Sequence, residues 1–410
     1  MGISFSPEVL KTFLRKIYKG FDTSKEIEPT MFREILRLLN EATVEGLMQS
    51  KYEPTHEDYF LKSLKHSNEV FSAFKAHTMG EKMAARLLDE NGKLKPFRQW
   101  KEDVRGIASH YVGSWLQTEY NTAVIRAHNA ADWQLFERDK DIMPNLRWMP
   151  TTSPEPEATH HSFWVRKLTL PVDHPFWNHQ HPGNRWNCKC YLEQTDEPAN
   201  PEVLDEFTPA PPQRGLENNP GKDGHIFNDT HPYFPKSCGK CAFYKNSGLK
   251  NRVKAYFSNW QKSCFNCPFI KGCLDAIKEK RKIREERLML SSPFWDTQLK
   301  EKNNLYTGKI LISKKTAGRL YEHCHSEEQF DAALYLCEHP EKLRYVRESP
   351  FGEGKNLDNP KDKKNLEKKR KRNIVTYRQY EINISNVKWT VKLEEHEMGF
   401  EQPYLILQKK

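Results

Sequence analysis

Apolar residues recur at helical spacing through the first third of the chain. Pro7-Glu8 opens a run with Leu10, Phe13, Leu14 and Ile17 on one face, and Pro29-Thr30 opens another with Phe32, Ile35, Leu36 and Leu39. Further helices are expected over 59–78, 81–89, 100–113 and 114–138, with Asn91-Gly92 as a turn. From 146 to 192 no regular period survives. Prolines 171, 175 and 182 fix φ there, Gly183-Asn184 supplies a turn, and residues 190–193 read as a short strand. A Pro-rich connector follows over 197–220, and residues 274–290 read as a charged helix. Toward the end, alternation with period two predicts strands at 309–312, 343–347, 374–384, 387–396 and 404–408, with Ser385-Asn386 as a hairpin turn. A helix is expected over 316–325, and Ser326-x-x-Gln329 caps a second.

These patterns predict a multidomain α+β protein. A helical N-terminal region covers 1–105. A mainly helical domain with an irregular loop and short strands covers 106–235, a Cys-rich basic segment and helical linker 236–300, and a small α+β domain with an antiparallel sheet 301–410.

Composition adds two constraints. At 410 residues and 37% hydrophobic content, several modest cores with exposed loops are expected, and no apolar run reaches the length of a membrane span. The first residues lack a signal-peptide core, and Met1-Gly2-x-x-x-Ser6 matches a myristoylation pattern only formally. The net charge of +10 is uneven: 236–287 holds 14 Lys/Arg against 4 Asp/Glu, and 301–410 holds 22 against 17. A basic second half suits RNA, packaged DNA or an acidic partner surface, and equally a solubilising one.

Nine cysteines in a chain with no secretory signal favour metal ligands or reduced thiols over disulfides. Cys238-x2-Cys241 and Cys264-x2-Cys267 have the spacing of a structural zinc site, with Cys273 as a spare. An iron–sulfur cluster and free thiols are the alternatives. Between the pairs, a helix-like 249–261 sets Lys250, Arg252 and Lys254 beside Tyr256, Phe257 and Trp260.

The irregular stretch carries the most specific motif. Leu146-Arg147-Trp148, His160, Pro171-x-Asp173-x-Pro175-Phe176-Trp177, and Pro182-x3-Trp186-Asn187-Cys188-Lys189-Cys190 occur in an order that resembles the phage Mu F-like minor head proteins. The resemblance covers about 106–235. It implies a role in head morphogenesis at the portal vertex, with portal and major capsid proteins as partners, a virion location and assembly in the host cytoplasm. From the residues themselves, His160, Asp173, Trp177, Trp186, Cys188 and Cys190 form a structural signature. Packing of aromatic rings is the leading account of it and metal binding by the His and Cys residues the alternative.

The C-terminal layout, with Ile312-Ser-Lys-Lys-Thr316, Glu322-His-Cys-His325 and the late hairpin, resembles barnase–EndoU–colicin–RelE-like nuclease domains. That resemblance implies metal-independent RNA cleavage, with His323, His325 and His396 as proton carriers and Arg344, Arg347 or Lys388 stabilising the phosphorane. Two residues apart on a helix, His323 and His325 point about 200° from each other, so at most one is expected in a site. The functions to separate are a structural head protein, a virion-delivered ribonuclease using the head domain as carrier, and a non-catalytic genome-binding component.

Overall fold

The computed structural model describes residues 3–53, 59–151, 153, 156–245, 247–249, 252–253, 263–291, 294–300, 307–313, 319–320, 322–350, 363, 366–367, 369–370, 372–397 and 401–408. It is a mixed α+β chain with two small sheets that divides into two compact units, Met1–Asp275 and Ala276–Lys410. Regions 1–105, 106–235 and the first part of the Cys-rich segment therefore belong to one unit. Most of the 249–261 helix and of the basic 352–373 loop lies outside the described residues, as does Thr316–Gly318 of the helix expected over 316–325.

In the first unit, α1 (Pro7–Tyr18) and α2 (Pro29–Leu47) begin at their prolines, where a missing N–H costs the helix nothing. They bury Phe13, Leu14 and Ile17, and Phe32, Ile35 and Leu39, as their spacing requires. α3 (Tyr59–Ala84) runs longer than expected, so the helix expected over 81–89 ends early; the chain turns at Gly92 (φ +73°), and Leu88 bridges Leu94. The helix expected over 100–113 is broken into α4 (Phe97–Asp103), α5 (Arg105–Ser109) and a π-helical turn at His110–Ser114, which contains the distorted Gly113. α6 (Trp115–Asp139) follows. α2 and α6 approach so closely that a Cβ at Gly46 would lie 2.2 Å from the Val124 carbonyl oxygen.

Between α3 and α6, fully buried Lys75 pairs with Glu119 at 2.7 Å, and both bond the Tyr233 hydroxyl, at 2.9 and 2.7 Å. This triad ties the 227–234 tail into the helical body.

A three-stranded antiparallel sheet of order β2-β1-β3 closes this unit, formed by β1 (Asn145–Met149), β2 (Thr169–Pro171) and β3 (Tyr191–Thr195). β1 was not expected, because Leu146-Arg147-Trp148 is too short to display alternation. Its central position brings Trp148 into a core with Leu146, Phe163, Leu170, Trp177, Cys188 and Cys190.

The second unit is a six-stranded sheet of order β4-β5-β9-β8-β7-β6 with the helix Glu327–Glu338 packed on it. Its strands are β4 (Phe294–Lys300), β5 (Thr307–Ser313), β6 (Arg344–Pro350), β7 (Ile374–Ile384), β8 (Val387–His396) and β9 (Glu401–Gln408). All pairings are antiparallel except β5 with β9. β4 was not expected, since 294–300 shows little of the period-two signal. Ser385 and Asn386 both adopt positive φ, as a two-residue turn requires. Ser326 caps the helix by accepting from Gln329 N at 3.0 Å, while the Gln329 side chain accepts from His325 N rather than from the cap. Among the described residues no helix is long and apolar enough to cross a membrane.

Candidate functional site

The signature residues converge on one point. His160, in a short 3-10 turn before the helix His161–Val165, meets Cys188 and Cys190, which lead into β3. All three are buried, and their ligand atoms lie within 4.8 Å of one another. Two sulfurs and one imidazole nitrogen are the donor set that suits a zinc-like ion, and they supply three of four tetrahedral corners. This group could hold a metal ion, the role that the sequence left as the alternative to packing.

A chain of side-chain amides sets which imidazole nitrogen faces the sulfurs. Gln180 Nε2 donates to the Ala210 carbonyl at 2.9 Å, so Gln180 Oε1 is free to accept from Asn184 Nδ2 at 2.8 Å. Asn184 Oδ1 is thereby turned to accept from His160 Nε2 at 2.7 Å. The proton is held on Nε2, and Nδ1 lies 3.3 Å from Cys188 Sγ. The Trp148 ring packs against the His160 imidazole, with ring centroids 4.9 Å apart. The adjacent thiols also polarise each other. The hydrogen bond from Cys190 and the His160 contact hold Cys188 well below the ordinary thiol range, whereas the Cys188 contact and burial push Cys190 up.

Backbone shape places the two sulfurs. Asn187 has φ +60° immediately before Cys188, and its N–H donates to Thr122 of α6 at 3.1 Å. Gly183 (φ +89°) lies against Arg126 of α6. The fully buried Arg126 guanidinium donates to the carbonyls of Gly183 (2.8 Å), Asn218 (2.9 Å) and Ile226, and burial pushes its pKa down to about 9. One arginine thus clamps the loop to the helical body. Its signal in the sequence is an arginine on the Ala123, Ala127, Ala130 stripe of α6. Asn184, Gln180 and Thr122 left no comparable sign.

The other signature residues have packing roles. Trp177 is fully buried and donates from Nε1 to the Pro171 carbonyl at 2.9 Å; Trp186 stacks on Phe227 with centroids 5.5 Å apart. Asp173 is at the surface and pairs with Lys140 at 3.3 Å.

Cys238, Cys241, Cys264 and Cys267 line one cavity of about 590 Å³, with Asp229 and Phe74 among its other walls. Each pair forms the same turn: Cys241 N donates to the Cys238 carbonyl at 3.0 Å and Cys267 N to that of Cys264 at 3.3 Å. Each second cysteine directly precedes a helix, Ala242–Lys245 or Pro268–Ser291, whose N-terminal N–H groups favour a thiolate. This repeated geometry fits thiolate coordination, although the cavity does not bring three of these sulfurs as close together as the His160 group. Burial raises the Cys241, Cys264 and Cys273 thiols, so a cation is needed to hold them ionised.

No protein-family model, curated protein or solved structure matches the chain.

In the second unit His323 is exposed, and His325 lies immediately before the helix cap, its backbone N–H donating to Gln329 at 2.8 Å. His396 ends β8. Lys388 stands at the hairpin end of the same strand, eight residues from His396, or roughly 26 Å at the usual strand rise. Arg344 and Arg347 lie on β6, separated from β8 by β7. The geometry therefore does not gather the six expected residues into one site. Near His323 and His396 it places Arg319, Arg372 and Glu394, none of them anticipated from the sequence.

Proposed function

We propose that the chain is a minor head protein of the Mu F-like kind, a structural and assembly component of the virion that binds portal and major capsid proteins during assembly in the host cytoplasm. The observation that carries this reading is the convergence of the signature. His160, Trp148, Trp177, Cys188 and Cys190 are all buried in one core, and Arg126 clamps their loop to the helical body. A motif spent on rigidity, with its thiols turned inward, suits a scaffold better than a thiol enzyme, which needs an accessible nucleophile. Zinc is the ion proposed for the His160–Cys188–Cys190 centre, with a second zinc at the four-cysteine cavity. Both would staple irregular segments that have few backbone ladders of their own.

The test is co-production with the portal and major capsid proteins of the same genome, followed by sedimentation of assembled particles. The chain is expected to travel with the particles in fixed proportion and to lose that association when Cys188 and Cys190 are both changed to Ser. A native chain that remains entirely in the unassembled fraction overturns the proposal.

A further inference from the structure

Among the described residues the His160 centre gathers three donors, whereas a structural zinc site closes with a fourth. Two buried N–H groups beside the centre lack acceptors among the described residues. Trp148 pairs with Leu192 across β1 and β3, Cys190 stands two residues before Leu192, and all three side chains join one core. The Trp148 ring lies on the His160 imidazole, with centroids 4.9 Å apart, yet its Nε1–H is buried with no acceptor. Arg185, whose carbonyl accepts from Cys188 N at 3.2 Å, likewise has Nε buried with no acceptor. Buried donors of this kind mark a place where an oxygen belongs.

Glu157 can supply it. It caps the 3-10 turn that ends in His160, and its carbonyl accepts from His160 N at 3.1 Å. Its Oε1 accepts from Thr159 N at 3.3 Å and from Thr159 Oγ1 at 2.7 Å. Three residues apart on a turn that repeats every three residues, the Glu157 and His160 side chains line up on one side. Both bonds from Thr159 fall on one oxygen, and Oε2 has no partner among the described residues. The Glu157 charge acts on His160 and on Cys190, and the Arg185 charge acts on Glu157.

We propose that Glu157 is the fourth ligand of the His160–Cys188–Cys190 centre, binding zinc through Oε2, with Thr159 as the positioning residue that holds Oε1. The carboxylate stands outside the 4.8 Å group of the other three donors, so binding entails a rotation of its side chain. Turned inward, it offers acceptors to the Trp148 and Arg185 N–H groups. The charges balance as well. Two thiolates cancel a zinc ion, the carboxylate adds one negative charge, and Arg185 offsets it. A hydrogen bond to the second oxygen of a ligating carboxylate is the usual outer support of a metal site, and Thr159 provides it twice. An oxygen beside two sulfurs and a nitrogen also disfavours Cu(I), which takes soft donors. Glu157 serves in this way only if the centre holds zinc, the reading given above, and the experiment separates the two.

The test uses the full-length chain carrying Cys264→Ser and Cys267→Ser, so that the zinc measured is that of the His160 centre, and follows zinc retention against a chromogenic chelator. Glu157→Ala should weaken retention by more than the roughly 10–100-fold expected of a residue that only orients a ligand. Thr159→Val, which removes one bond to Oε1, should stay within that range. Glu157→Gln keeps an acceptor for Thr159, and with it the cap, but loses the charged oxygen; it should fall with Glu157→Ala rather than with the parent. Glu157→His loses the cap yet supplies a new zinc ligand, and should recover retention over Glu157→Ala. Parent-like retention in Glu157→Gln, or Glu157→His no better than Glu157→Ala, overturns the proposal and leaves the zinc in place. A parent chain that binds no zinc overturns the zinc reading itself, and this ligand with it.

Discussion

His160 Nε2 lies 2.7 Å from Asn184 Oδ1, and this one contact directs the opposite imidazole nitrogen, Nδ1, at Cys188. The orientation of Asn184 is fixed in turn through Gln180, so the ligand geometry is held by amides rooted in the backbone carbonyl of Ala210. Asn184→Leu removes the acceptor and leaves a buried N–H unsatisfied. It is expected to cost about 1–3 kcal/mol in urea unfolding and to weaken metal retention about 10–100-fold against a chromogenic chelator. Asn184→Asp keeps the acceptor and should retain most of both.

The cysteine pairs give a separate prediction. Cys264→Ser with Cys267→Ser removes both sulfurs of one knuckle and should lower the zinc content by one equivalent per chain. Thermal stability should fall with it, while the His160 centre keeps its ion. Elemental analysis of the purified variant checks this, and an unchanged zinc content would count against coordination in that cavity.

Lys75 and Glu119 are both fully buried, and desolvation pushes Lys75 down and Glu119 up despite their mutual attraction. Lys75→Met alone strands the carboxylate and should destabilise the first unit by about 3–5 kcal/mol. Adding Glu119→Leu should restore most of the loss. A double-mutant cycle in denaturant measures both quantities.

His231 carries a pH dependence. Its Nδ1 accepts from Tyr233 N at 3.3 Å, and burial, followed by the nearby Lys75 and Arg214, depresses its pKa from 6.5 to about 3. The folded chain therefore binds fewer protons at this residue than the unfolded one. The stability it contributes is complete above about pH 6.5 and is lost progressively as pH falls toward 3. His231→Gln should flatten that part of the stability–pH curve, as measured by unfolding at pH 7, 6, 5 and 4.

The legible parts of the fold were those with a long period. α1, α2 and α6 and the β7–β8 hairpin follow directly from apolar spacing and turn chemistry, since many residues vote for the same element. β1 and β2 are too short to vote, and they form because tertiary pairing supplies what local preference does not. The candidate metal site was half legible: His160, Cys188 and Cys190 stood out by type, but their meeting depends on the positive φ at Asn187 and on the Arg126 clamp. In the second unit the histidines drew attention, whereas Arg319, Arg372 and Glu394 are ordinary charges in a charged sequence until the fold brings them together.

The most direct test of the metal-organised signature is zinc-edge X-ray absorption on the Cys264→Ser/Cys267→Ser variant, in which the His160 centre is the intended remaining site. The expected shell holds two sulfurs at about 2.3 Å and nitrogen or oxygen at about 2.0–2.1 Å. A variant that binds no zinc, or binds it in a shell without sulfur, would contradict the account.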